Sequence, residues 1–121
     1  MPARALYDYE IIGYAKKLKI PHFRGVFMRD TLPARPNKNE SIIMNMDNSK
    51  NSGTHWVCYV KKGNIVNYYD SYGDLRPPQE LIIYLGKQCT IFYNVHRDQK
   101  FNESSCGRYC LEFLYKINNE I

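Results

Sequence analysis

The sequence predicts an α+β domain in which a small mixed sheet is flanked by helices. Three observations carry that prediction. Apolar residues recur at spacings of three and four near both ends of the chain, the mark of amphipathic helices. Between them, "THWVCYVKKGNIVNYYDSYG" holds two strand-like runs joined by a tight "KKGN" hairpin. Eleven tyrosines supply most of the aromatic content and suit half-buried strands better than disorder. At 121 residues the chain makes a single domain, 1–121, long enough for a core without metal or disulfide support.

The elements follow in order. Residues 4–19 read as a helix: Tyr7, Ile11, Ala15 and Leu18 line one face. Lys16, Lys17 and Lys19 crowd its C-terminal end, where cations are favoured, and Pro21 stops it. Residues 22–40 read as loop, with Pro33, Pro36 and a polar "PNKNES". "SIIMNM" is a strand, followed by the turn-forming "DNSKNSG". After the hairpin, "RPPQELIIYLGK" is a short helix with prolines at its start and Gly86 near its end. "CTIFYNV" is a strand. The last helix begins around Cys106: Ser104 and Ser105 are N-cap types, and Tyr109, Cys110, Phe113, Leu114 and Ile117 form its apolar stripe. The expected order is α, β, β, β, α, β, α.

Seventeen basic against twelve acidic residues give a net charge of +5. That permits a nucleic acid or acidic partner without requiring one. "MPARALYDYE" lacks the apolar core of a secretory signal, and "LIIYLG" is too short to span a bilayer. The expected setting is intracellular and away from membranes, with all four cysteines as reduced thiols. No C-x-x-C pair occurs and the three histidines are scattered, so no metal site is expected.

One set of residues carries chemistry. Cys106 falls in the first turn of the last helix, where unpaired amide N–H groups and the positive dipole end favour a thiolate. A nucleophilic cysteine needs a base, an orienter for that base and donors for the oxyanion. His55 in "GTHW" begins one strand of the hairpin, and Asp70 in "YYDSYG" ends the other. The carboxylate is expected to accept the Nδ1 proton of the imidazole. Asp74, beyond the Gly73 turn, is the rival acid. Gln99 lies seven residues before Cys106 and can donate to an oxyanion together with the Cys106 N–H. Each residue also has a plainer reading: a structural His beside a Trp, a turn Asp, a solvent-facing Gln, a small core Cys. Cys110, in the apolar stripe, reads as core. The ordered set is far more specific than its parts.

That set, "GTHW", "YYDSYG" and "DQKFNESSCGRYC", resembles the adenain family, the adenovirus maturation proteases, within the superfamily that includes the SUMO-processing proteases. Upstream, "EIIGYAKKLKIPHFRGVFMRDTLP" is similar to the family's N-terminal helix and following loop, and "NESIIMNMDNSKNSGTHW" to the strand leading to the catalytic histidine. The resemblance spans about residues 8–117. Similar proteases occur in virophages and Maverick/Polinton-type elements, which this short chain resembles more than the adenovirus enzyme. The sequence ends soon after the nucleophile helix, where adenain continues.

The resemblance implies a papain-like/adenain-like core with the nucleophile at a helix N-terminus. It implies a Cys-His-Asp triad of Cys106, His55 and Asp70 (adenain itself has Glu as the third member), with Gln99 in the oxyanion hole. Trp56, Gly53, Ser105 and Gly107 are the candidate substrate contacts, Trp56 reading equally as core packing. The expected activity is cleavage of viral or element-encoded capsid precursors during virion maturation, next to small residues such as glycine. The expected enzyme is a monomer in the host cytoplasm, nucleus or virus factory, or packaged in the virion. A protease that deconjugates ubiquitin-like proteins is the alternative reading, and a non-catalytic DNA- or capsid-binding module is the second. The chemistry requires no cofactor. By resemblance, an activating peptide and DNA are candidate activators. Cys89 lies near the position of the peptide-linked cysteine, and also reads as a buried strand residue. Lys16, Lys17, Lys19, Lys61 and Lys62 read as DNA contacts or as solvated surface.

Overall fold

The predicted hairpin forms the centre of the sheet. A computed structural model describes residues 5–47, 55–98 and 105–119. In chain order its elements are α1 (Asp8–Lys17), β1 (Phe23–Met28), β2 (Asn39–Asn45), β3 (Trp56–Lys62), β4 (Ile65–Tyr69), α2 (Gln79–Leu85), β5 (Thr90–Tyr93) and α3 (Cys106–Asn118). The strands lie side by side in the order β1-β2-β3-β4-β5. The two outer pairings are parallel and the two inner ones antiparallel. The expected mixed sheet with flanking helices is therefore what forms.

The sheet has two dry faces because its central strands alternate their apolar residues between them. Ile43, Cys58, Val60 and Tyr69 face α1 and α3, meeting Ile11, Ala15, Cys110, Leu111 and Leu114. Ile42, Met44, Val57, Tyr59, Val66 and Tyr68 face the other way, onto Leu81 and Leu85 of α2. Of the predicted α1 stripe, Ile11 and Ala15 are buried, Leu18 packs at the margin and Tyr7 is exposed.

One strand departs from expectation. Residues 23–28, read as loop, form β1 against β2. The run "FRGVFM" shows no two-residue alternation because every residue in it is half-buried. It is an edge strand, paired on one side only, and its register shifts between Phe23 and Gly25. Both early helices are also shorter than their apolar patterns suggested.

A second correction concerns Lys61. It is buried on the α2 face, and its ammonium donates to the carbonyls of Asn37 (2.9 Å) and Lys38 (3.2 Å). A lysine held this way is not a DNA contact. The segment before β2 folds over it, which a strand-terminal lysine in sequence does not reveal.

The topology sets up one end of the sheet. Residue 55 immediately precedes β3, and residue 70 immediately follows the antiparallel β4, with Cys58 opposite Tyr69. The base and acid candidates thus flank the open end of one hairpin. Helix α3 packs on β3 and delivers its first residue, Cys106, to that end.

Candidate active site

The imidazole of His55 and the carboxylate of Asp70 meet at 2.8 Å. Both side chains are withdrawn from water, with 13% and 2% of their surfaces exposed. The ring nitrogen involved is Nε2, not the Nδ1 expected from sequence. Nδ1 is buried and makes no hydrogen bond of ordinary geometry among the described residues. Ring orientation depends on which side the hairpin and the helix approach from, and residue spacing carries no information on that. Cys106 is the first residue of α3 and 5% exposed. Its sulfur accepts a hydrogen bond from the Trp56 backbone N–H at 3.3 Å. The strand that follows His55 therefore also supplies a donor to the sulfur.

The electrostatics favour a protonated ring. Burial alone lowers the His55 pKa, but the hydrogen bond to Asp70 and the interaction with Cys106 outweigh it and push the value up to about 9. One turn along α3, Cys110 behaves differently. It is completely buried, and burial followed by its contact with Cys58 pushes its thiol pKa well up. That cysteine stays a neutral core thiol.

His55 thus lies between a buried carboxylate and the thiol of a helix start, a disposition that a thiol nucleophile paired with a base would require. Its scaffold is a known one. The chain has the fold of ASFV pS273R protease. The crystal structure of that protein superposes with a TM-score of 0.66 at 16% identity, over 99% of this chain and 60% of that one. Its selenomethionine form gives a TM-score of 0.58 at 17% identity, over 99% and 61%. This chain thus spans about three-fifths of the length of the solved protein it matches. No family model and no curated protein matches the sequence.

Two residues at the site were missed by sequence reasoning. Tyr72 stacks on the His55 ring, with centroids 4.3 Å apart and planes inclined by 14°. Its backbone N–H donates to Asp70 Oδ1 at 2.9 Å. The i, i+2 spacing from the acid is a known side-chain-to-backbone turn pattern and was the available signal. Asn94, just past β5, bonds the backbone of Asp70 in both directions, at 2.9 Å and 2.7 Å. No local pattern links positions 70 and 94; the contact comes from the parallel pairing of β4 with β5.

The remaining predicted residues are placed as follows. Asp74, the rival acid, is exposed and sits on a backbone of positive φ. Trp56 is half-buried, packs against the α1/α3 core and donates its indole N–H to the Leu6 carbonyl at 3.2 Å. Gly107 is buried: a Cβ there would lie 3.3 Å from both Ile11 Cδ1 and Trp56 Cδ1, so its bareness serves close packing of the helix start. Ser105 is the N-cap of α3, and its carbonyl accepts from the Tyr109 N–H at 3.0 Å. Gly53 and Gln99 lie outside the described residues. Cys89 is half-buried beside α2, its thiol 3.3 Å from the Leu85 carbonyl. Among the described residues, no cluster of His, Cys, Asp and Glu is arranged to hold a metal ion, and no helix is long and apolar enough to cross a membrane.

Proposed function

We propose that this chain is a cysteine endopeptidase that cuts viral or element-encoded capsid precursors, with Cys106 as nucleophile, His55 as base and Asp70 as orienter. The observation that supports this best is the buried His55–Asp70 pair beside Cys106 at a helix start, on the scaffold of a solved protease. The proton of Cys106 passes to His55, giving a thiolate and an imidazolium. The thiolate attacks the scissile carbonyl. The Cys106 N–H and the Gln99 amide hold the oxyanion, and His55 gives its proton to the leaving amine. Water, deprotonated by His55, then hydrolyses the thioester and frees the sulfur. The basic surface and Cys89 are candidate contacts for a DNA or peptide activator. Kinship with adenain itself rests on the sequence motifs.

The test is cleavage of glycine-containing capsid-precursor peptides, run beside diglycine-terminated ubiquitin-like probes. Cys106→Ala and His55→Ala should each reduce cleavage to background in a protein that still unfolds cooperatively. Wild-type turnover by folded Cys106→Ala would falsify the assignment. Turnover of the ubiquitin-like probes alone would replace capsid maturation by deconjugation.

A further inference from the structure

We propose that Asn94 is the positioning residue for the acid: its side-chain amide replaces the missing next rung of the β4–β5 ladder and fixes the backbone from which Asp70 reaches His55. The inference rests on the His55–Asp70–Cys106 reading above.

The paired register of β4 and β5 ends at Tyr68 opposite Tyr93. One residue further on the backbone rungs stop and an Asn side chain takes over. The Asp70 N–H donates to Asn94 Oδ1 at 2.9 Å, and Asn94 Nδ2 donates to the Asp70 carbonyl at 2.7 Å. A primary amide offers an acceptor and donors on one planar group, which is what a neighbouring strand would present. Nδ2 also donates to the His96 carbonyl at 3.0 Å, and the Asn94 carbonyl accepts from the Asp74 N–H at 3.0 Å. Turn 70–74 is therefore clamped to segment 94–96 at several points. The fit is tight: at Gly73, with φ +74°, a Cβ would lie 2.3 Å from the His96 carbonyl oxygen.

The clamp matters because the Asp70 carboxylate has little freedom left. Its Oδ1 takes both the Tyr72 N–H and His55 Nε2. Small rotations of the Asp70 backbone move that oxygen off the ring. Asn94 makes no hydrogen bond to His55 or Cys106 among the described residues, so its influence on the ring passes through turn 70–74, and its direct bonds there are to Asp70. Aspartate at 94 would lose the donor, serine would be too short to pair both groups, and glutamine would be one methylene too long.

The experiment is an NMR pH titration of the His55 ring in the full chain, first with its acidic and thiol neighbours, Asp70 and Cys106, left intact and then with Asp70 replaced. Wild type should titrate near 9. In Asn94→Ala the midpoint should fall toward the ordinary 6.5 by at least about one pH unit, tenfold in proton affinity. The double variant Asn94→Ala/Asp70→Asn should titrate no lower than Asp70→Asn alone, since both act on one contact. Asn94→Ser serves as the readout if Asn94→Ala does not fold. A merely structural asparagine would lower the unfolding temperature and leave the midpoint near 9, and that result in either variant overturns the proposal. The titration can be read whether or not any peptide is cut. Absence of cleavage by wild type therefore sinks the protease reading, and an unmoved midpoint sinks this one.

Discussion

Asp70 and Glu40 are both buried carboxylates, at opposite ends of the same sheet, and they are satisfied in opposite ways. Glu40 Oε1 accepts from Arg24 at 2.9 Å and from the Asn37 N–H at 2.8 Å; Oε2 accepts from the phenols of Tyr59 at 2.6 Å and Tyr84 at 2.9 Å. Four donors fill the capacity of a carboxylate. Burial, then the bond to Glu40, pushes both phenols up, so they remain donors throughout the useful pH range. Asp70 instead shares its proton-bearing partner with a thiol, and that partner, His55, keeps a buried ring nitrogen with no ordinary hydrogen bond among the described residues. A saturated network has nothing left to give and serves as architecture. An unsaturated one holds a proton that can move.

Three changes test that contrast, taken from the largest effect to the smallest, with Asp74→Asn as the control. Asp70→Asn should slow cleavage roughly a hundredfold. That is less than the ~10⁴-fold cost of the same change where a serine must be deprotonated, because a thiolate forms more easily. The same variant should move the alkaline limit of activity. In wild type the imidazolium persists until pH rises through about 9, so activity should fall on that limb, and Asp70→Asn should bring the fall down toward 6.5. The sign for stability agrees: a raised histidine pKa contributes fully below 6.5, and the contribution is lost as pH rises through about 9. A pH–rate profile with an unmoved limb would break the contrast at its reactive end. Asp74→Asn, on an exposed side chain, should leave the profile alone.

Glu40→Ala should do the reverse. The buried hydroxyl of Tyr59 and the half-buried one of Tyr84 lose their acceptor, which costs on the order of 3 kcal/mol of stability, while the turnover of molecules that remain folded stays near wild type. Urea unfolding measured beside kcat checks both halves. A fall in kcat without a fall in stability would mean that the two carboxylates are coupled. Cys110→Ala should have a smaller effect than Glu40→Ala, about 1 kcal/mol from a small core cavity, with cleavage and alkylation at Cys106 retained. Mass mapping of the alkylated thiol decides it: label on Cys110 would mean that the reactive sulfur had been misassigned.

The parts of the molecule legible in sequence are those set by periodicity and end signals. The hairpin, α3 and the placing of Cys106 at its first turn follow from alternation, from the "KKGN" turn and from the serines before the stripe. The meeting of His55 with Asp70 follows from their places at the open end of that hairpin. What stayed hidden depends on neighbours distant in sequence. β1 is an edge strand whose half-buried residues blur the two-residue period. Lys61 is buried only because residues 37 and 38 cross over it. The use of Nε2 and the clamp from Asn94 both depend on how separate segments approach one another, and composition is silent on that.

The spacing of the site along the chain has a further consequence, in the order in which reactivity can appear. The His55–Asp70 contact closes a loop of 15 residues, whereas the Trp56–Cys106 contact closes one of 50. On chain entropy alone the second costs about 1 kcal/mol more to close. The candidate base and acid are thus neighbours in one hairpin, whereas the candidate nucleophile comes from a helix far along the chain. On the proposed roles, the sulfur gains its surroundings only once α3 has docked, so a molecule without that contact should be chemically quiet.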